Sequence, residues 1–125
     1  MAHKARPLPG VVVTDPARLD ELQELSIGIM SLNDCDKSQV LKRLLEAYQI
    51  PYRNDFEQAM RHIHLMATSS RCAVLILAKK LEVGSKVTFG RDAAEVLKIH
   101  PDYRLAIKII ATGKTISYVN PVGLN

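Results

Sequence analysis

The hydrophobic period of this chain changes near residue 104, and this change constrains the fold more than any other feature. Upstream, apolar residues recur every three or four positions, which is typical of amphipathic helices. Downstream, they alternate, with Leu105, Ile107 and Ile109 on one face and Arg104, Ala106 and Lys108 on the other. A second alternating stretch, 115–119, follows a turn that contains Gly113. The pattern predicts a C-terminal β-hairpin, and therefore an α+β fold.

The N-terminal half predicts an antiparallel layer of about four helices over residues 15–82. Asp15 followed by Pro16 is a typical helix start, and Asp36 with Gln39 and Asn54 with Glu57 resemble capping boxes. The second helix should end at Ile50-Pro51, and the third near Thr68-Ser69-Ser70, which we expect to form a loop. The fourth should span 71–82, because Gly84 just beyond is a helix-stop signal.

The remaining segments complete a single predicted domain over residues 1–125. We expect residues 1–14 to form an extended arm and residues 120–125 to form a tail. Between 86 and 119 we expect a strand at 86–89, a helix at 91–98 and then the hairpin. The sequence favours a helix at 91–98 because Ala, Glu, Leu and Lys have high helix propensity, and His100-Pro101 would end it.

This order of a helix, a strand, a second helix and a β-ribbon partly resembles the winged helix-turn-helix layout. An alternative interpretation makes 102–110 a recognition helix capped by Asp102, which resembles the small helix-turn-helix of excisionase-type proteins. That helix would expose Ile107, Ile109 and Ile110 in a groove. Strand is the prediction for 104–110, because β-branched residues are dense there.

No catalytic, metal-binding or cofactor-binding pattern emerges, so we expect a protein that is not an enzyme and has neither cofactor nor metal. Cys35 and Cys72 lack CxxC spacing, and His62 and His64 lie two positions apart, on different sides of a helix. The Gly113-Lys114-Thr115 tripeptide lacks the glycine that a phosphate-binding loop needs five residues earlier. The chain shows no apolar stretch of membrane-spanning length, and a reducing cytosol is the expected location.

Positive charge is concentrated in the C-terminal part. Residues 1–78 contain nine Lys/Arg and nine Asp/Glu, whereas residues 79–125 contain eight and four. This asymmetry favours a nucleic-acid-binding regulator or accessory protein whose cations contact phosphates. The candidate contacts are Lys79, Lys80, Lys86, Arg91, Arg104, Lys108 and Lys114.

The alternative is a protein–protein adaptor or assembly subunit. Such a protein would dock through its arm, its tail or the unpaired edge of the hairpin. The arm and the β-ribbon also make a homodimer a reasonable expectation.

Overall fold

A computed structural model describes residues 7–124 of the chain. Within this range, helices α1 (Pro16–Gly28), α2 (Asp34–Tyr48) and α3 (Phe56–Ala78) precede strands β1 (Lys86–Phe89), β2 (Asp92–Ile99), β3 (Leu105–Ile109) and β4 (Thr115–Val119). Short 3₁₀ turns occupy Ile29–Ser31 and Pro121–Gly123. The α+β class and the order of helices before an antiparallel sheet are confirmed.

Contacts divide the chain into two compact units, one formed by residues 8–71 and the other containing residues 72–124. We refer to them as the helical unit and the sheet unit. Helix α3 contributes its first sixteen residues, 56–71, to the helical unit and its last seven, 72–78, to the sheet unit. That the whole chain folds as a single domain stays a prediction.

The helices begin at side-chain caps close to the predicted positions. Asp15 caps α1 as expected, accepting a hydrogen bond from the Ala17 amide at 3.0 Å. Helix α2 is capped by Asn33, which accepts from the Asp36 amide at 2.9 Å, so the prediction of Asp36 as the cap is wrong by three residues. Before α3 it is Asp55, one residue beyond the predicted Asn54, that accepts from an amide of the first turn.

The N-terminal segment of the helical unit is held by hydrogen bonds that its backbone amides donate. The Val11 amide donates to the Tyr48 carbonyl at 2.7 Å, and the Val13 amide donates to Ser70 Oγ at 2.9 Å. A Cβ added at Gly10 would collide with that Tyr48 carbonyl oxygen and lie 2.8 Å from Ile50 Cγ1. Only glycine therefore fits this close approach. Residues 1–6 of the predicted arm lie outside the described residues.

Helix α3 is continuous where two helices and a loop were predicted. Thr68, Ser69 and Ser70 lie inside it, because their hydroxyl groups do not compete successfully with the helical hydrogen bonds. Thr68 Oγ1 donates to the His64 carbonyl one turn earlier, at 2.9 Å, and the Ser70 hydroxyl is engaged with Val13. The prediction of four helices is therefore wrong for the described residues, where α3 replaces the third and the fourth.

The segment predicted as a helix at 91–98 is instead β2, the strand between β1 and β3. Its high helix propensity is overridden by hydrogen bonding to a neighbour on each side. All three strand pairs are antiparallel and follow chain order. The predicted hairpin is confirmed as β3 and β4, joined by a turn in which Gly113 adopts a φ of 73°.

Two β-bulges lie on either side of Ala106 in the central part of β3. On β2, the register shifts between Val96 and Lys98, which makes Leu97 the extra residue. On β4, the shift places Ser117 and Tyr118 opposite Ala106 alone. Paired bulges at one level increase the local twist of the sheet and bend it there.

The core of the sheet unit lies on one face of the sheet. It contains inward-facing residues of every strand together with Ile76 from α3 and Leu124 from the tail. Leu124 also forms an antiparallel bridge with Phe89 at the end of β1. The predicted tail thus folds back onto the first strand after a 3₁₀ turn capped by Asn120.

The resemblance to the winged helix-turn-helix layout is not confirmed. A strand occupies the position of the helix that should precede the ribbon, and the alternative recognition helix at 102–110 is wrong because Leu105–Ile109 is a strand. Between residues 7 and 124, no helix is both long and apolar enough to cross a membrane.

Candidate nucleic-acid interface

A row of polar side chains crosses all four strands on the face of the sheet opposite its core. The register aligns Lys86, Glu95, Lys108 and Thr115, while the rows on either side of it contain the buried residues Val87 and Ile107. Neighbouring strands are about 4.8 Å apart, so the row spans roughly 14 Å. We call this surface the outer face.

Two of the predicted contacts, Lys86 and Lys108, belong to this row but differ in their surroundings. Lys86 Nζ lies 3.4 Å from Glu95 Oε1, so much of its charge is compensated. Lys108 lies opposite Glu95 on the other side, is exposed, and forms no ion pair within residues 7–124. Lys108 is therefore the better candidate for contact with an external anion.

Lys98 completes the basic part of the outer face and was missed from the sequence. It pairs with Ala106, two residues from Lys108 along β3. The two lysines are therefore diagonal neighbours, with Cα atoms about 7–8 Å apart. Its side chain is exposed. Strict alternation from the buried Ala94 and Val96 would place Lys98 on the core face, and it is the bulge at Leu97 that brings Lys98 to the outer face, so no pattern in the sequence indicated it.

Two further predicted contacts lie in adjacent turns at one end of the sheet. Arg91 occupies the two-residue turn between β1 and β2, after Gly90, whose φ is 61°. Lys114 ends the turn between β3 and β4, where its amide donates to Thr112 Oγ1 at 3.2 Å. The Ile110 amide donates to the Ala93 carbonyl, which places the two turns side by side. Both basic side chains are exposed.

The structure places Lys79 and Lys80 away from this surface, where α3 ends. Lys80 adopts a left-handed φ of 52°, and its amide and that of Leu81 donate back to the last turn of the helix. This is a Schellman-type helix end. Lys79 Nζ donates to the Leu124 carbonyl at 2.8 Å, so it holds the tail. Both lysines have structural positions that the sequence prediction did not anticipate.

Arg104 lies at the opposite end of the sheet from the two turns, within a cluster of polar and aromatic side chains. Its Nε is 2.6 Å from Oδ2 of Asp102, whose side chain is fully buried. The guanidinium carbon lies 4.3 Å from the centre of the Tyr118 ring, which stacks on His100 at 4.2 Å. The His100 Nε2 donates to the Ser117 carbonyl at 2.6 Å. We call these four side chains, of residues 100, 102, 104 and 118, the arginine cluster.

The charges of the sheet unit are only partly compensated. Residues 72–124 contain eight Lys/Arg and four Asp/Glu, an excess of four that equals the net charge of the whole chain. The ion pairs Lys86–Glu95 and Arg104–Asp102 account for two of the four acids. The uncompensated cations of the outer face and of the neighbouring turns are Arg91, Lys98, Lys108 and Lys114.

Aromatic side chains and metal ligands contribute little to this surface. No aromatic residue within 72–124 is highly exposed, and the Tyr118 ring is already engaged by His100 and Arg104. Among the residues that the structure describes, no three His, Cys, Asp or Glu side chains are grouped so that they could hold a metal ion. The charged groups that this face presents without an ion-pair partner among the described residues are ammonium and guanidinium groups.

Comparison with protein-family models, with curated proteins and with solved structures finds no match for this chain.

Proposed function

We propose that this chain is a nucleic-acid-binding regulator or accessory protein that contacts backbone phosphates through the outer face of its sheet unit. The observation that supports this most directly is the pair Lys98 and Lys108, exposed on adjacent strands and without an ion-pair partner within residues 7–124. Arg91 and Lys114 extend the basic surface at the end of the sheet. Phosphate contacts of this kind supply most of the affinity in sequence-independent binding.

Duplex nucleic acid is the favoured form of the ligand. Proteins that hold single strands combine cations with exposed aromatic side chains on which bases stack. The sheet unit offers no highly exposed aromatic residue between 72 and 124. Nor do these residues contain a helix beyond Ala78 that could enter a major groove. The proposal is therefore binding to duplex phosphates without direct reading of base sequence.

Salt dependence gives a quantitative test. Four phosphate contacts, by Arg91, Lys98, Lys108 and Lys114, predict a slope of log K against log salt of about −3.6 on duplex DNA. We would measure binding to a random 20-base-pair duplex by fluorescence anisotropy at several salt concentrations. Absence of binding at low salt would refute the proposal.

A pair of matched variants locates the surface. Lys98→Gln combined with Lys108→Gln should reduce the slope by about 1.8, because two counterions fewer are released. The control, Lys42→Gln with Arg61→Gln, removes the same charge from exposed positions of the helical unit. If both double variants weaken binding equally, net charge rather than the outer face determines the affinity.

A protein–protein adaptor is the second candidate, and it is favoured by the edge of β4. This strand pairs with β3 on one side, and no described residue pairs with it on the other. An open edge can accept a strand from a partner or from a second copy of the chain. Sedimentation of the chain alone, compared with a Ser117→Pro variant that removes an amide from the edge, would detect a homodimer formed in this way.

A further inference from the structure

We propose that Arg104 is a prearranged receptor for a phosphate group, distinct in kind from the lysines of the outer face. The inference deepens the proposed function and rests on it, since it identifies one fixed contact within a surface of mobile charges. The ligand chemistry is a phosphate with two oxygens accessible from one side. Such a group is present in the backbone of a polynucleotide and at a phosphorylated strand end.

Asp102 fixes the orientation of the guanidinium group. Its Oδ2 lies 2.6 Å from Arg104 Nε, and its Oδ1 accepts from the Arg104 backbone amide at 3.2 Å. Because the Asp102 side chain has no solvent exposure, this carboxylate is itself held in place. A planar guanidinium bound through Nε can no longer turn freely about its long side chain.

The aromatic part of the arginine cluster supports the guanidinium from its flat side. Tyr118 lies 4.3 Å below the guanidinium carbon, and its own ring is stacked on His100 with an interplanar angle of 28°. His100 is fixed in turn through the Ser117 carbonyl, which belongs to the bulge of β4. The bulge thus supplies an acceptor that orients the ring stack.

These contacts use only part of the donor capacity of Arg104. A guanidinium group has five N–H donors, of which the Nε donor is bound to Asp102. The two terminal nitrogens have no hydrogen-bond partner within residues 7–124, although the side chain is only 23% exposed. Two parallel donors on one edge match the two oxygens of a phosphate, which is the geometry of a bidentate contact.

The position of the cluster connects it to the outer face. Lys98 pairs with Ala106, and the β4 bulge places Tyr118 opposite the same alanine. Ala106, whose side chain is a single methyl group, therefore lies between Lys98 and Tyr118 in the register of the sheet. Because Asp102 compensates the charge of Arg104, we expect Lys98 to attract the phosphate and Arg104 to fix its orientation.

The test observes Arg104 directly in the unaltered protein, by ¹⁵N NMR of the arginine side chains. The probes are a 20-base-pair duplex with 5′-hydroxyl ends, the same duplex with 5′-phosphates, and inorganic phosphate. We expect the Nη signals of Arg104 to shift and their exchange with water to slow, while its Nε signal changes little because it is already bonded. Arg104→Lys provides the assignment.

The outcomes separate the inference from the proposed function. Shifts with both duplexes identify backbone phosphates, and shifts only with the 5′-phosphorylated duplex identify a strand end; each supports the receptor. If the duplexes bind and shift the lysine signals while the Arg104 Nη signals stay unchanged at saturation, the cluster is purely structural and the inference is overturned. If inorganic phosphate shifts Nη but no duplex binds, the receptor stands and the proposed function fails.

A conservative substitution gives an independent measurement. Arg104→Lys keeps a cation beside Asp102 but removes the two parallel donors, so duplex affinity should fall about tenfold. The control Arg61→Lys makes the same change at an exposed position of the helical unit, outside the proposed interface, and should leave affinity unchanged within twofold. Equal effects of the two substitutions would contradict an oriented contact. Dispersion of the sheet amides in the NMR spectrum verifies that each variant is folded.

Discussion

Replacement of Tyr48 by phenylalanine should stabilise this protein. Tyr48 ends α2 with its side chain fully buried, and its hydroxyl group has no hydrogen-bond partner within residues 7–124. Burial raises the pKa of the Tyr48 phenol above its ordinary value, while the nearby Arg18 cation opposes this increase. Both observations describe a polar group that has lost its hydration without full compensation.

The expected gain follows from the cost of an unpaired buried hydroxyl. That cost is about 1–3 kcal/mol and is recovered when the hydroxyl group is removed. Loss of the dispersion contacts of the oxygen offsets part of it, so the free energy of unfolding should increase by about 1 kcal/mol. With an unfolding entropy of roughly 2.1 cal/mol/K per residue and 125 residues, the midpoint temperature of thermal unfolding should rise by about 4 °C if the chain unfolds in one transition.

The pH dependence provides a second measurement on the same pair of proteins. Below a pH of about 10, Tyr48 keeps its proton in both the folded and the unfolded chain. As the pH rises further, the unfolded chain releases this proton while the folded chain retains it, because the folded-state pKa is raised. The free energy of unfolding of the original protein therefore falls over this range, and Tyr48→Phe removes that part of the loss.

Chemical denaturation at pH 7 and above pH 10 would provide the measurements, with Tyr52→Phe as control. Tyr52 is 45% exposed, so its substitution should change stability by less than about 0.5 kcal/mol. A destabilisation of 1 kcal/mol or more by Tyr48→Phe would show that the hydroxyl group has a partner, and the argument from an unpaired group would fail.

Two matched pairs of substitutions test the packing of the helical unit by the same denaturation assay. Gly10→Ala should lower the free energy of unfolding by at least about 1 kcal/mol, since the new methyl group would collide with the backbone. Gly28→Ala, with no atom within 4 Å of the new Cβ, should raise it by up to about 1 kcal/mol. Equal effects would contradict the close approach at Gly10. Ser70→Ala leaves the buried Val13 amide unpaired and should lower the free energy of unfolding by about 1–3 kcal/mol. Ser69→Ala removes a buried hydroxyl without a partner among the described residues and should leave stability unchanged or increase it. The reverse order for the two serines would show that their hydrogen bonding is misassigned.

The sequence predicted the elements whose local preference and tertiary environment agree. Strand β3 alternates strictly, and the turn after it contains a glycine where the backbone needs a positive φ, so period and turn chemistry indicate the same structure. Helices α1 and α2 combine an apolar stripe with a side-chain cap. In these elements nearest neighbours along the chain suffice to determine the structure.

The sequence prediction failed where tertiary partners determine the secondary structure. Residues 92–99 have helix-forming composition, but a strand on each side makes them the interior of a sheet. Ser70 lies in a stretch typical of loops, yet its hydroxyl binds an amide 57 positions away and the helix continues. The partner of Ser70 lies outside any local window, whereas β1 and β3 lie near β2 in sequence but composition does not show that they pair with it.

The candidate surface shows the same contrast between what the local sequence determines and what tertiary pairing determines. The surplus of cations in residues 79–125 is visible in the sequence, because composition does not depend on pairing. Which cations share a face depends on register, so the sequence did not indicate that Lys98 lies beside Lys108 or that Lys79 donates to the Leu124 carbonyl. The orientation of Arg104 by Asp102 spans only two residues, but it becomes recognisable only with Tyr118 in place.

The bridge between Leu124 and Phe89 has a consequence for self-association. A sheet with two open edges can add further copies at both sides, and the assembly can grow without limit. Here the end of β1 is occupied by the chain's own Leu124, which Lys79 holds through its carbonyl oxygen. Copies that pair through β4 would therefore meet, at the opposite margin, a β1 edge whose Phe89 end is already occupied, so less of that edge is available to a further strand.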